Sequence, residues 1–161
     1  MTEDRLFNVV LVNPCIPQNT GNIGRLCVNT NCRLHVILPV PFSFEDKYIR
    51  RAGLDYWEHL DIMLHDSAED FFSYADGGKM FFFSTKGDKS LWDCPYGKGA
   101  YLIFGNEESG LPADFYEIYK ESLYTIPMPG ANARSLNLAN AAAVVVYEGI
   151  RRYLILEIGG T

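Results

Sequence analysis

The chain has 161 residues, is 48% hydrophobic and 14% aromatic, and carries a net charge of −6. That length fits one compact domain (1–161) able to bury a core without disulfides or a metal, and the composition excludes a disordered chain. The negative charge excludes a protein that coats nucleic acid by bulk electrostatics, while leaving room for a local basic patch.

Taken in chain order, residues 1–5 form a polar extension with no apolar signal core, which points to a cytoplasmic protein. No apolar run reaches the ~18 residues that a membrane span needs. "FNVVLV" (7–12) is a continuous apolar, β-branched run and reads as the first strand. "TGNIGRLCVNTN" follows as a helix, and "LHVILP" as the second strand. "EDKYIRRAG" reads as a helix ending in Gly53, a C-cap residue. "LDIML" is the third strand. "SAEDFFSY" then begins a helix with Ser67 and Asp70 at capping-box spacing.

"KMFFFST" and "AYLIFG" are the fourth and fifth strands. "PADFYEIYKES" is a helix with Pro112 in its first turn, "LYTIPM" is the sixth strand, and a last helix runs from about Ser135, its cap, to Tyr153. Strands apolar on both faces, alternating with helices, predict an α/β domain with a six-stranded parallel sheet and helices on both faces.

Cys15, Cys27, Cys32 and Cys94 form no CxxC pair and have no histidine at zinc-ligand spacing. Free thiols and no metal are expected. His35 and His65 lie in or beside strands and read as structural, and His59 as a surface group.

In open α/β sheets ligands bind beyond the carboxyl ends of the strands. Three segments there are rich in Gly, Asn and charge: "NPCIPQNTGNIGR", "GNEESGLP" and "PMPGANARSLNLAN". GxGxxG and GxxxxGK[ST] are both absent, which disfavours the common phosphate-binding routes. A nucleoside ligand without phosphates needs neither. Glu107 sits in a Gly-bracketed turn, either capping a helix or facing a ligand. Arg25 is either in a surface ion pair or holds a phosphate. Lys47, Arg50 and Arg51 are a solvated helix face or, beside Tyr56 and Trp57, an RNA contact. Asn137 and Asn140 share a face with Val144, and alanines at 139 and 141–143 allow close packing.

Together, in this order and at these separations, the three segments resemble the three motifs of the SpoU branch of the SPOUT RNA methyltransferases. Within it they resemble the small 2′-O-methyltransferases acting on cytidine or uridine 34, the wobble nucleotide of tRNA. "RRAGLDYWEHLDI" and "STKG" add to the likeness, which spans residues 6–153. The resemblance implies a deep C-terminal trefoil knot, a device nearly absent among folds. It also implies S-adenosylmethionine as cofactor, the tRNA anticodon stem-loop as partner, and a homodimer whose active site is completed across the interface.

By position in the motifs, the resemblance assigns Phe83, Gly105, Glu107, Gly110, Ile126, Met128, Ser135 and Leu136 to the cofactor. It assigns Arg25, Ser135 and Asn137 to catalysis, and Asn19, Arg25, Arg50, Arg51, Arg134 and Asn140 to the RNA. The chain departs from the usual pattern at Asn106 and Glu108–Ser109, where many relatives read Pro and Thr-Arg, and at Phe83, where an aliphatic residue is commoner. The competing readings are 2′-O-methylation of another tRNA or rRNA position, and a non-catalytic RNA-binding module. Members acting on other targets often carry an added RNA-binding domain, for which this length leaves no room.

Overall fold

The computed structural model describes residues 4–45, 49 and 56–159. Strand β1 (Asn8–Val12) is buried at every position, as a β-branched run in a sheet covered on both faces should be. It leads into α1 (Pro17–Asn29), whose Pro17 occupies the first turn, where its missing N–H is no loss. Then come β2 (Arg33–Ile37), β3 (Ile62–His65) and α2 (Ala68–Tyr74). Ser67 caps α2, its hydroxyl accepting from Asp70 N at 3.1 Å, as the spacing predicts. The second half holds β4 (Met80–Phe83), β5 (Lys89–Ser90), β6 (Tyr101–Phe104), α3 (Phe115–Ile118), β7 (Leu123–Thr125) and α4 (Leu138–Gly159).

The seven strands pair in parallel in the order β3-β2-β1-β6-β4-β7-β5. The sheet thus has seven strands where the sequence predicts six. The additional one, β5, has two residues and pairs Lys89 with Tyr124 and Ser90 with Thr125. A charged two-residue strand carries no apolar period, so only its partner reveals it.

Alternation along the strands divides the core in two. Val9, Leu11, Leu34, Val36, Leu102 and Phe104 pack with Ile23 and Cys27 of α1 and with Ala142, Val145 and Val146 of α4. Val10, Val12, Ile37, Phe82 and Ile103 pack with Phe71 of α2 and Phe115 of α3 on the opposite face. Each large side chain so buried contributes about 1.5–3 kcal/mol.

Two further expectations are adjusted. The helix read from "PADFYEIYKES" is shorter: α3 has four residues and gives way to a 3₁₀ turn at Lys120–Ser122. The last helix starts at Leu138 rather than Ser135. Its cap is Asn137, whose Oδ1 accepts from Ala139 N (2.9 Å) and Asn140 N (3.2 Å). The helix expected over "EDKYIRRAG" falls almost wholly outside the described residues.

β1 continues to β2 on one side, while its other neighbour, β6, continues to β7 on the far side. The crevice beyond the carboxyl ends of β1 and β6 is therefore the switch point of the sheet.

Candidate active site

The loop after β6 is built at that switch point. Asn106 and Gly110 exchange both backbone hydrogen bonds at 2.9 Å and close a tight turn. Asn106 Oδ1 accepts from Glu108 N (2.8 Å) and Ser109 N (3.0 Å), and its Nδ2 donates to Asn13 O (2.7 Å). The asparagine that departs from the usual motif thus shapes the turn and ties it to the loop after β1. Gly110 has φ +74°, which side chains rarely adopt. Gly105 lies so near that a Cβ on it would sit 2.3 Å from the Gly110 carbonyl carbon.

Glu107 leaves this turn and reaches α1. Its Oε1 accepts from Cys15 N (3.0 Å) and its Oε2 from Ile16 N (2.6 Å). The carboxylate thereby satisfies N–H groups at the start of α1, which has no side-chain cap of its own. Burial, followed by the Glu107 and Glu108 carboxylates, pushes the Cys15 thiol up. It stays protonated at neutral pH and is no nucleophile. All four cysteines are free.

A cavity of about 520 Å³ opens beside the turn. Phe83, Gly105, Glu107, Gly110, Ile126, Met128, Ser135 and Leu136, all assigned to the cofactor from the motifs, line it. Asn19 and Asn137 line it too. Phe83 and Phe104 stack with ring centroids 5.4 Å apart and form a flat apolar wall. The loop carrying Ser135 and Leu136 is exposed and lies open to solvent. Motif reading missed Phe104, Tyr116, Leu138 and Ala141, which also line the cavity. Tyr116 OH accepts from Leu111 N and lies 3.3 Å from Ser84 Oγ, joining two loops of the wall. An apolar strand end at Phe104 and a helix entry at Leu138 were the available signals. A larger cavity of about 820 Å³ shares Lys86, Asn106 and Tyr116 with the first, but its lining mixes Lys86 and Lys120 with Asp88 and Glu117.

Arg25 is not on the cavity wall. It is exposed on α1, its guanidinium carbon 5.8 Å from the centre of the Tyr56 ring. Tyr56 OH donates to Gly21 O at 2.6 Å, so the ring is anchored to the same helix. Arg134 and Asn140 are likewise exposed and off the wall. Arg50 and Arg51 lie outside the described residues. Among the described residues, no His, Cys, Asp and Glu group is arranged to hold a metal, and no helix is long and apolar enough to cross a membrane.

The profile described as the SpoU rRNA Methylase family matches residues 6–147. The chain belongs to that family. It is 46% identical over 148 residues to the tRNA (cytidine(34)-2′-O)-methyltransferase of Saccharophagus degradans, covering 91% of this chain and 96% of that one. A solved structure concerned with 2′-OH methylation of C/U34 on tRNA superposes with a TM-score of 0.86 at 40% identity, covering 93% of this chain and 97% of that one. An AdoMet-bound rRNA methyltransferase from Sinorhizobium meliloti superposes with a TM-score of 0.81 at 25% identity, over 93% of this chain and 57% of that one.

Proposed function

We propose that this SpoU-family chain transfers a methyl group from S-adenosylmethionine to the ribose 2′-OH of nucleotide 34 in the anticodon stem-loop of tRNA. The observation that carries this is the cavity at the β1/β6 switch point, which gathers residues from three separate segments into one wall. Its volume suits a nucleoside-sized ligand, within the ~300–1,000 Å³ usual for such sites. Its character suits one as well. Phe83, Phe104, Ile126 and Leu136 offer apolar walls for a base, and the turn at Gly105–Gly110 offers backbone for its polar edge. No phosphate-binding loop is required.

When bound there, S-adenosylmethionine supplies an electrophilic methyl group on a sulfonium. The ribose oxygen would take that methyl group as the sulfur–carbon bond breaks, leaving the neutral thioether, and the hydroxyl proton would pass to solvent. The leaving group is already good, so the chain's task is alignment and activation of a weakly acidic hydroxyl. Arg25 holds the neighbouring phosphate, since a guanidinium forks onto its oxygens. Ser135, at the open edge of the cavity, faces the incoming ribose.

In this reading the chain is a homodimer, since Arg25 lies off the wall of its own cavity and a second copy would bring its Arg25 to it. The knot is part of the same reading. The segment after β4 packs on β7 through β5, and Tyr96 within it donates to Val145 O of α4 at 2.7 Å, as a strap over a threaded C-terminal helix would. A tRNA substrate is in keeping with a cytoplasmic protein.

The test is to incubate the protein with labelled S-adenosylmethionine and unmodified tRNA, then map the modified nucleotide. The expected product carries 2′-O-methyl at position 34. No incorporation sinks the proposal, and incorporation elsewhere moves it to another RNA target.

A further inference from the structure

Asn19 is a buried amide, 4% exposed, in the first turn of α1. Burying an amide is unfavourable unless its donors and its acceptor all find partners. Asn19 Nδ2 faces Glu107 Oε2 at 3.4 Å, and Asn19 Oδ1 accepts from Asn137 Nδ2 at 3.0 Å. Asn137 Oδ1 accepts in turn from the first N–H groups of α4, those of Ala139 and Asn140. At the other end Glu107 accepts from Cys15 N and Ile16 N.

Every donor in this chain points the same way. The helix end at α4 only donates and the carboxylate at Glu107 only accepts, so the orientation of both amides is fixed. Three segments, remote in sequence, are thereby tied together at the cavity mouth. They are the turn after β6, the start of α1 and the loop entering α4.

We propose that Glu107, Asn19 and Asn137 act as one polarised hydrogen-bonded bridge, and that its polarity sets the affinity of the cavity for cofactor. This rests on the reading that the cavity binds S-adenosylmethionine. The three are positioning residues: they hold the loop of Ser135 and Leu136 against the turn of Gly105 and Gly110, from which the cavity is built.

The bridge can be reversed as well as cut. Asn137→Asp keeps a good cap for α4, since Asp caps as well as Asn. It sets an oxygen against Asn19 Oδ1. Glu107→Gln turns an amide against the donors of α1 and Asn19. Each alone should weaken binding of S-adenosylmethionine about tenfold, the effect of one misdirected hydrogen bond. In the double variant E107Q/N137D the polarity inverts. The new glutamine amide donates to Asn19, and Asn19 turns to donate to the new carboxylate, while the mismatch of that amide with Ile16 N stays as in Glu107→Gln alone.

Calorimetric titration of the full chain with S-adenosylmethionine should then find the double variant binding no more weakly than Glu107→Gln alone, about tenfold below wild type, with its melting temperature likewise no lower than that single variant's. Additive losses, near a hundredfold in the double variant, overturn the bridge even if the wild type methylates tRNA. A melting temperature no lower than that of Glu107→Gln, with affinity that nevertheless falls further, overturns its link to the cofactor. A wild-type chain that binds no S-adenosylmethionine overturns the function reading and the coupling with it.

Discussion

His35 Nδ1 accepts a hydrogen bond from His65 Nε2 across 3.0 Å, inside the face of the sheet covered by α2. The direction follows from the neighbours. Asn8 Nδ2 donates to Gly99 O, so Asn8 Oδ1 is left to accept from His35 Nε2 at 2.9 Å. That leaves Nδ1 of His35 bare and facing an N–H. A proton there would meet another donor in a fully buried ring that Phe71 meets edge-on and Tyr74 and Tyr101 meet at a tilt.

Burial, then the neighbouring His65 and Arg33, accordingly hold His35 down at about 3, and burial lowers His65 as well. The unfolded chain takes up protons near pH 6.5 that the folded chain refuses, so stability is full above that pH and falls as pH drops toward 3. Between pH 7 and pH 5 the loss from His35 alone should be about 2 kcal/mol. Urea midpoints at the two pH values measure it. His35→Gln removes the titrating ring and should flatten the dependence. A wild-type midpoint that stays level across this range would count against the buried pair.

Gly105→Ala should strike the cavity directly. The added carbon would lie 2.3–2.6 Å from the Gly110 carbonyl carbon, Leu111 N and Gly110 O, all backbone atoms that cannot swing aside. The turn must open, at a cost of about 1–3 kcal/mol, or a melting temperature lower by roughly 3–10 °C. Affinity for S-adenosylmethionine should fall at least tenfold. Gly130→Ala, with nothing within 4 Å of its added carbon, should leave both unchanged. Equal behaviour of the two variants would mean that the close approach at Gly105 is unimportant.

Much of this was legible in the chain because it is written in local apolar runs. "NVVLV", "MFFF" and "YLIF" are buried on both faces and appear in the sequence as unbroken hydrophobic stretches. β5 was not legible because Lys89 and Ser90 become a strand only by pairing with Tyr124 and Thr125. The start of α4 was misplaced for a similar reason. Ser135 and Asn137 are both good caps by propensity, and the choice is made by a hydrogen bond from Asn137 to Asn19. In the site, likeness to the motifs named Asn19, Phe83, Gly105, Glu107 and others that fall on the cavity wall, though fewer than half of the residues that line it. It could not reveal that Glu107 serves the start of α1, since Cys15 and Ile16 stand far from it in sequence. Nor could it place Arg25 off that wall.

Arg25 gives the most direct kinetic prediction. It does not line the cavity, so Arg25→Ala should leave cofactor affinity within about twofold while single-turnover methyl transfer drops about 10²-fold or more. Tyr56 should modulate it. Tyr56→Phe keeps the ring beneath the guanidinium and loses only the bond to Gly21 O, whereas Tyr56→Ala loses both. The transfer rate should therefore fall further for alanine than for phenylalanine, at unchanged cofactor affinity. An Arg25→Ala variant with near-normal turnover would remove it from the mechanism.

The face of α4 turned away from the sheet tests the dimer. Val144, Tyr147, Leu154 and Ile155 are 39–54% exposed and recur at helical spacing. An apolar stripe of this kind on a helix otherwise buried against α1 and β6 is what a second copy would cover. Light scattering should find a dimer, and the double substitution Tyr147→Asp, Leu154→Asp should shift it to monomer, because each buried carboxylate without a partner costs several kcal/mol. Neither residue lines the cavity, so the monomer should still bind S-adenosylmethionine. If Arg25 acts in the partner's site, that monomer should bind cofactor yet transfer no methyl group. A monomer with full turnover would place Arg25 back at the cavity of its own chain.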